Sequence, residues 1–380
     1  IKANLDNITS LMVSEIDEDR LVLKEKVELA LRVLISQTLV QKNGDIYVFL
    51  TEEEQEISRE IGKQPVETAE VIHKAAEMIF EDIFKDNKYR YPRHNGRYAF
   101  GFNQKVDDYV YKGGQGYDIG VHIITPAAGY ATEDEMTFRM LSGQNKDVLV
   151  VLPNDVAFLD EIRGALRIEK YLRLNTTGGN VARFQQIQES KRVEMRQRLD
   201  NAKLYLRESL KEAAIYVNGD QALIGSKDVT SRIHDALGKV VDAVYHKLPY
   251  IDSPTTEEDI RKMFRQSNEL TLQLEDGSEA NAHALADMLE YIKLNSAMHT
   301  KTSLKSLKDR FTKAPYGFID DDVEWLAARL FKRGEITLTI NGITVTTVNK
   351  NTDELVRYFT KKEYVEKLLT EIKEKPAEKD

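Results

Sequence analysis

Few residues in this chain have the type and spacing that chemistry requires, and at each candidate one necessary neighbour is missing. A phosphate-binding loop, G-x-x-x-x-G-K-[ST], cradles phosphate with backbone amides, reaches the β- and γ-oxygens with Lys and binds Mg²⁺ with its hydroxyl. Gly62-Lys63 is followed by Gln64, and Gly238-Lys239 by Val240, so neither supplies the hydroxyl. Gly113, Gly116 and Gly120 suggest a dinucleotide fingerprint, which needs G-x-G-x-x-G between a strand and a helix. Their spacing is off by one, and residues 119–124 read as strand, so a hairpin loop is the better reading. Residues 176–179 could offer amides to an anion ahead of a helix; a plain helix entry accounts for them as well. The apolar run 148–152 is of the kind that precedes a metal-binding Asp, but Pro153 and Asn154 intervene before Asp155, and it reads as a structural strand.

The seven His form no H-x-x-x-H or H-E-x-x-H, and His122, alternating with apolar neighbours, reads as a half-buried strand residue. Zero Cys removes thiolate zinc sites, iron–sulfur clusters and disulfides together. No G-x-S-x-G elbow occurs, and the carboxylates are too numerous to single out a pair. No catalytic, cofactor-binding or metal-ligating residue is therefore assigned, and the chain reads as non-enzymatic. The enzymatic rival is a divergent nuclease or hydrolase in the region 89–152, which needs carboxylates or His gathered in one pocket.

Nucleic-acid binding rests on two basic groups. Lys301, Lys305, Lys308, Arg310 and Lys313 cluster near the C-terminus, and Arg192 and Arg196 lie on a long charged helix. Glu189, Glu194 and Asp200 are interleaved with the second group, which reads as a solvated face of i,i+4 pairs. Phosphate contacts normally supply most of the affinity for DNA. The stretch 336–347 holds no Lys or Arg, and the helix before it opens with Asp320, Asp321 and Asp322. Those carboxylates suit a helix N-terminus and oppose a phosphate. A net charge of −9 argues against non-specific coating of nucleic acid and leaves local basic patches open. The module reads as built for protein contact, with DNA binding as the alternative.

The elements that would position these residues begin with the long helix. Residues 181–213 contain no Gly or Pro, and their apolar positions recur on one helical face. Such a helix would run roughly 50 Å and feed directly into a strand at 214–219. Ahead of it, 21–40 reads as a helix, Asn43-Gly44 as a tight turn, 46–50 as a strand, and Thr51 with Glu54 as a capping box. Residues 66–84 and 158–174 read as amphipathic helices. Short aromatic and β-branched runs at 89–92, 97–103, 107–111 and 118–125 read as antiparallel strands, joined by 148–152, 215–217 and 222–224. Helices follow at 229–248 and 257–264, then a polar linker at 273–281. Helices at 284–297, 303–311 and 321–331 (holding the single Trp325) precede a hairpin at 335–347 with Asn341-Gly342 at its tip. That order is the winged-helix order. A last helix is expected at 353–373.

The expected fold is thus a helix-rich α+β class, with winged-helix-like modules flanking a mixed sheet domain and its long charged helix. The units are residues 1–64, 65–227, 228–281, 282–373 and a tail at 374–380. No apolar run approaches the roughly 20 residues of a membrane helix, and no signal peptide is expected. A chain that opens on Ile1 is expected to be excised from a larger protein.

Several stretches resemble one family. Residues 47–61 (YVFLTEEEQEISREI), 118–126 (DIGVHIITP), 158–162 (FLDEI) with 168–172 (IEKYL), and 315–318 (PYGF) leading into Trp325 are similar to BrxC, the family of large P-loop ATPases of the BREX bacteriophage-defence systems. The resemblance covers most of the chain. It implies a bacterial, cytoplasmic protein of AAA-type architecture, in a multiprotein system that restricts phage DNA and works with a methyltransferase. It implies other subunits of that system as partners, double-stranded DNA as a further candidate, and self-assembly through the parent ATPase. The sequence departs from the family pattern in lacking the phosphate-binding loop. ATP and Mg²⁺ are therefore expected of the parent protein and of no residue here, and the chain is expected to be an internal segment coupling the ATPase to its partners.

Overall fold

Six strands form the central sheet, in the order Asp220–Gln221, Ala214–Val217, Asp147–Val151, Gly120–Ile124, Asn103–Val106, Tyr109–Tyr111. The computed structural model describes residues 1–113, 116–129, 134–174, 181–265 and 279–373. The 176–179 loop, most of the 273–281 linker and the 374–380 tail lie outside the described residues.

The sheet is mixed, as expected, but the run at 118–125 that reads as antiparallel contributes a parallel strand to it. Asn103–Val106, Gly120–Ile124 and Asp147–Val151 run parallel, with Val106 opposite Ile123 and Val121 opposite Val148. Antiparallel pairing holds for Asn103–Val106 with Tyr109–Tyr111, for Asp147–Val151 with Ala214–Val217, and for a separate pair, Lys88–Arg90 with Ala99–Gly101. Parallel neighbours need a crossover. Between Gly120–Ile124 and Asp147–Val151 it is the helix Glu135–Gln144, which the periodicity did not reveal. Every residue of Gly120–Ile124 is buried, as both-face coverage demands. Residues 222–224 form no strand; Ala222 only donates its N–H to the Ile215 carbonyl at 2.7 Å.

Alternate side chains of the sheet serve two cores. Ile124, Leu149 and Tyr216 meet Phe138 of the crossover helix on one face. Val121, Ile123, Val148, Val150 and Ile215 face the main core, with Leu237 and Val241 of the helix Val229–Val244. Each such buried aliphatic contributes about 1.5–3 kcal/mol.

The helices Ala157–Leu174 and Val181–Glu212 pack antiparallel, with Arg198 reaching back to Glu161 at 3.0 Å. The C-terminal half of the long helix joins the main core through Ala202, Leu206 and Leu210. Its N-terminal half belongs to a separate core, where Ile187 and Met195 pack with Ile168 and Leu172 and with Ile57 and Ile61 of the helix Glu52–Gly62. The capping box at Thr51 and Glu54 is formed. Ahead of it lie helices Leu5–Met12 and Arg20–Ser36 and a hairpin of Val40–Asn43 with Ile46–Phe49, turning at Gly44.

The C-terminal domain holds helices Ala282–Ala297, Leu304–Phe311 and Asp320–Lys332 beside a four-stranded sheet. Its strand order is Thr302–Ser303, Leu368–Ile372, Ile336–Ile340, Ile343–Val345. The 335–347 hairpin is present. The last helix is shorter than the periodicity implied: Thr352–Thr360 is helical, while Leu368–Ile372 is a strand between the first strand and the hairpin. Leu368 and Thr370 alternate inward, and that period of two prevails. No helix among the described residues is long and apolar enough to cross a membrane.

Candidate functional site

The first turn of the helix Asp320–Lys332 is where the C-terminal domain locks onto the sheet domain. Asp322 is buried. It accepts hydrogen bonds from the Tyr98 hydroxyl at 2.9 Å, the Thr255 N–H at 3.2 Å and the Thr255 hydroxyl at 3.3 Å. The Arg97 guanidinium lies 3.6 Å from Asp322 and 3.5 Å from Asp321, and also donates to the Thr255 carbonyl. Burial raises the carboxyl pKa of Asp322 against those donors, and burial followed by the Asp322 charge raises the Tyr98 hydroxyl. The Asp322 carboxylate and the Tyr98 hydroxyl are tolerated at this depth because each has a partner, while Arg97 Nε is left without one.

A second clasp lies a few residues earlier. Asp118 accepts from the Ala314 N–H at 3.0 Å and from the Tyr245 hydroxyl at 3.4 Å. Gly317 sits at φ +68, and a Cβ there would stand 2.7 Å from Tyr245 and 2.8 Å from Phe100. Only glycine lets the chain pass so close to two rings. Lys247 pairs with Asp287 at 2.6 Å, and Tyr316 donates to the same carboxylate at 3.0 Å.

Nine of the thirteen residues of Asp320–Lys332 are buried. Helices Glu257–Arg265, Ala282–Ala297, Leu304–Phe311 and Thr352–Thr360 pack around it. Phe264, Phe331 and Phe359 form an aromatic cluster on one flank. A winged helix reads DNA by laying its third helix in the major groove; here that helix has no continuous exposed face.

Most of the cations proposed for nucleic acid are engaged by neighbouring carboxylates. Lys308 points inward, 2.6 Å from Glu324 and 3.0 Å from Asp320, with its side chain 14% exposed. It follows Leu304 by four residues, on the flank of the face that buries Leu304, Leu307 and Phe311. Burial pushes the Glu324 carboxyl up to about 7, against the nearby Lys308 charge. Lys305 pairs with Glu366 at 2.6 Å and Lys301 with Glu371 at 3.5 Å. Arg310 lies over the Tyr316 ring at 5.6 Å, and Lys313 is exposed. Arg192 and Arg196 both pair with Glu189, at 3.1 and 3.4 Å. Exposed pairs of this kind contribute little.

In the sheet, His122 is buried with Nε2 2.8 Å from the Asp107 carbonyl, and burial drives its pKa down to about 4. Asp107 accepts from the Thr125 N–H and hydroxyl, both at 2.7 Å. Burial raises the Asp107 and Asp147 carboxyls. No group of three or more His, Cys, Asp or Glu that could hold a metal ion occurs among the described residues. The sequence reading missed Arg97, Tyr98, Asp118 and Thr255, whose partners lie far along the chain. Asp322 drew notice only as a helix-start carboxylate.

Residues 64–240 match the family described as the BREX ATP-binding protein BrxC 4th domain with six-stranded beta sheet, and the six strands found here fall within them. Residues 244–374 match the BREX ATP-binding protein BrxC winged helix-turn-helix domain. No solved structure matches the chain. The helix-rich α+β fold, the mixed six-stranded sheet and the winged helix behind it agree with both matches, and the chain belongs to the BrxC family of BREX ATP-binding proteins, whose fourth and winged-helix domains it carries.

Proposed function

We propose that this chain is a non-catalytic coupling segment of BrxC, holding the fourth domain and the winged helix as one body for docking to other subunits of the defence system. The observation that carries this reading is the burial of Asp320–Lys332 and its attachment through Asp322 to Tyr98 and Thr255. A reader helix committed to an internal joint is suited to transmitting position. The family descriptions speak of ATP binding. On this proposal ATP and Mg²⁺ are held by a phosphate-binding loop elsewhere in the protein, since this sequence contains none. The setting proposed is the bacterial cytoplasm, with self-assembly directed by the ATPase.

The test is full-length BrxC bearing Asp322→Ala. ATP hydrolysis should persist while capture of the other subunits and phage restriction fall. Unchanged capture and restriction, with the domains shown to be uncoupled, would sink the proposal. A DNA-binding winged helix is the second reading, resting on exposed Lys305, Arg310 and Lys313. Binding to duplex DNA that falls steeply with salt and disappears when these three are replaced by Ala favours it.

A further inference from the structure

A cavity of about 450 Å³ lies where the N-terminal hairpin and the helix Glu52–Gly62 meet the paired helices Ala157–Leu174 and Val181–Glu212. Its walls carry five cations, Lys42, Arg163, Arg167, Lys191 and Arg198, against two carboxylates, Asp160 and Glu194. In a chain of net charge −9 this is a locally positive hollow. Three of the cations are engaged. Arg163 pairs with Asp160 at 3.2 Å, Lys191 with Glu194 at 2.8 Å, and Arg198 with Glu194 at 3.1 Å and Glu161 at 3.0 Å. Lys42 and Arg167 have no ion-pair partner among the described residues. Arg167 Nε and Ser58 Oγ, both from residues lining the cavity, are buried without a hydrogen-bond partner.

Buried polar atoms are nearly always bonded, and an orphaned donor of a charged group is costly. Two such atoms on one cavity, with Arg167 matched by no carboxylate and Lys42 held only over the Tyr47 ring at 5.7 Å, describe a receptor for an anion. The ligand must carry more than one negative charge to engage Lys42 and Arg167 together. A phosphate group meets that need, because a guanidinium matches its oxygens in a planar fork. Ile35, Val40, Leu50, Ile61 and Ile168 supply an apolar wall beside the charges. The volume falls in the range of small-ligand pockets, roughly 300–1,000 Å³.

We propose that this cavity binds a phosphate-bearing small molecule between Lys42 and Ser58 of the N-terminal module and Arg167 of the fourth domain. Bound there, the ligand pins the N-terminal module to the helix pair. It does not rest on the coupling role above, since a chain with no partners would bind it equally.

The experiment is calorimetric titration of the 380-residue chain with inorganic phosphate, pyrophosphate and AMP at near-physiological salt. One saturable site is expected, with a ligand-dependent rise in melting temperature. Arg167→Ala weakens binding by roughly tenfold or more. Ser58→Ala weakens it less and leaves the ligand-free chain at least as stable as the parent, which separates a lost ligand contact from a lost fold. Arg192→Ala is the control and leaves binding unchanged. Pyrophosphate binding tighter than AMP assigns an inorganic polyphosphate; the reverse assigns a nucleotide. No binding of any of the three at about 10 mM, some 2.7 kcal/mol of affinity, overturns the proposal. So does wild-type affinity in both Arg167→Ala and Ser58→Ala.

Discussion

The Tyr98 hydroxyl donates to the Asp322 carboxylate across 2.9 Å, joining two residues 224 positions apart in the chain. This bond ties the fourth domain to the first turn of the winged helix's third helix. Tyr98→Phe keeps the ring and leaves one buried carboxylate oxygen short of a donor. The expected loss is about 1–3 kcal/mol in urea denaturation, with faster amide exchange at 320–324 than in the sheet. A variant as stable as the parent contradicts this account of the joint.

Gly317→Ala is expected to strain the second clasp. The substitution forces a Cβ against Tyr245 and Phe100 at a positive φ. A loss of about 2–4 kcal/mol follows from strain and overpacking together. Limited proteolysis should then cut between the domains before it cuts within either sheet.

Lys308 and its surface neighbours should separate cleanly in stability measurements. Lys308→Ala leaves Glu324 buried beside Asp320 without its cation, and is expected to cost about 2–4 kcal/mol. Lys305→Ala and Arg310→Ala should stay within about 0.5 kcal/mol of the parent. Equal effects from all three, read from denaturation midpoints, contradict the inward placement of Lys308.

Glu324 makes stability depend on pH. In the folded chain its proton is held up to about pH 7, whereas in the unfolded chain it leaves near 4.5. Between those values the folded state binds more protons, so this contribution falls as pH rises and levels off above about 7. Lys308, Asp320 and Asp321 are the charges that face it. Stability curves of the parent and Glu324→Gln should diverge across that window and run parallel above it.

His122 acts with the opposite sign. Its folded pKa is about 4 against 6.5 unfolded, so the unfolded chain takes up the proton first. Stability from this residue is complete above about 6.5 and is lost as pH falls toward 4. His122→Gln, which retains a donor for the Asp107 carbonyl, should flatten that limb. An unaltered acid limb counts against His122 as its source.

Much of the architecture was legible because it is local. The long helix, the capping box at Thr51 and the helix bearing Trp325 follow from periodicity and cap chemistry. The parallel core strands were misread because their crossover, Glu135–Gln144, buries only Phe138 and Ser142 and so shows a weak stripe. Leu368–Ile372 was misread because Leu368 and Ile372 satisfy a helical spacing as well as a strand's. The Asp322 joint and the cavity at Arg167 were not legible at all, since both are assembled from distant segments. The inward turn of Lys308 was signalled by its place beside Leu304 and Leu307, but the residue was grouped by its charge and the signal was passed over.

The position of Leu368–Ile372 has a consequence for how the C-terminal domain is made. The strand lies between Thr302–Ser303 and Ile336–Ile340, yet it leaves the ribosome after both. Until it emerges, Ile336–Ile340 presents an unpaired edge, the kind of surface that recruits strands from other chains. Synthesis that stalls or is truncated anywhere between 345 and 368 would therefore release a sticky intermediate, and expression boundaries drawn at the hairpin would select for aggregation.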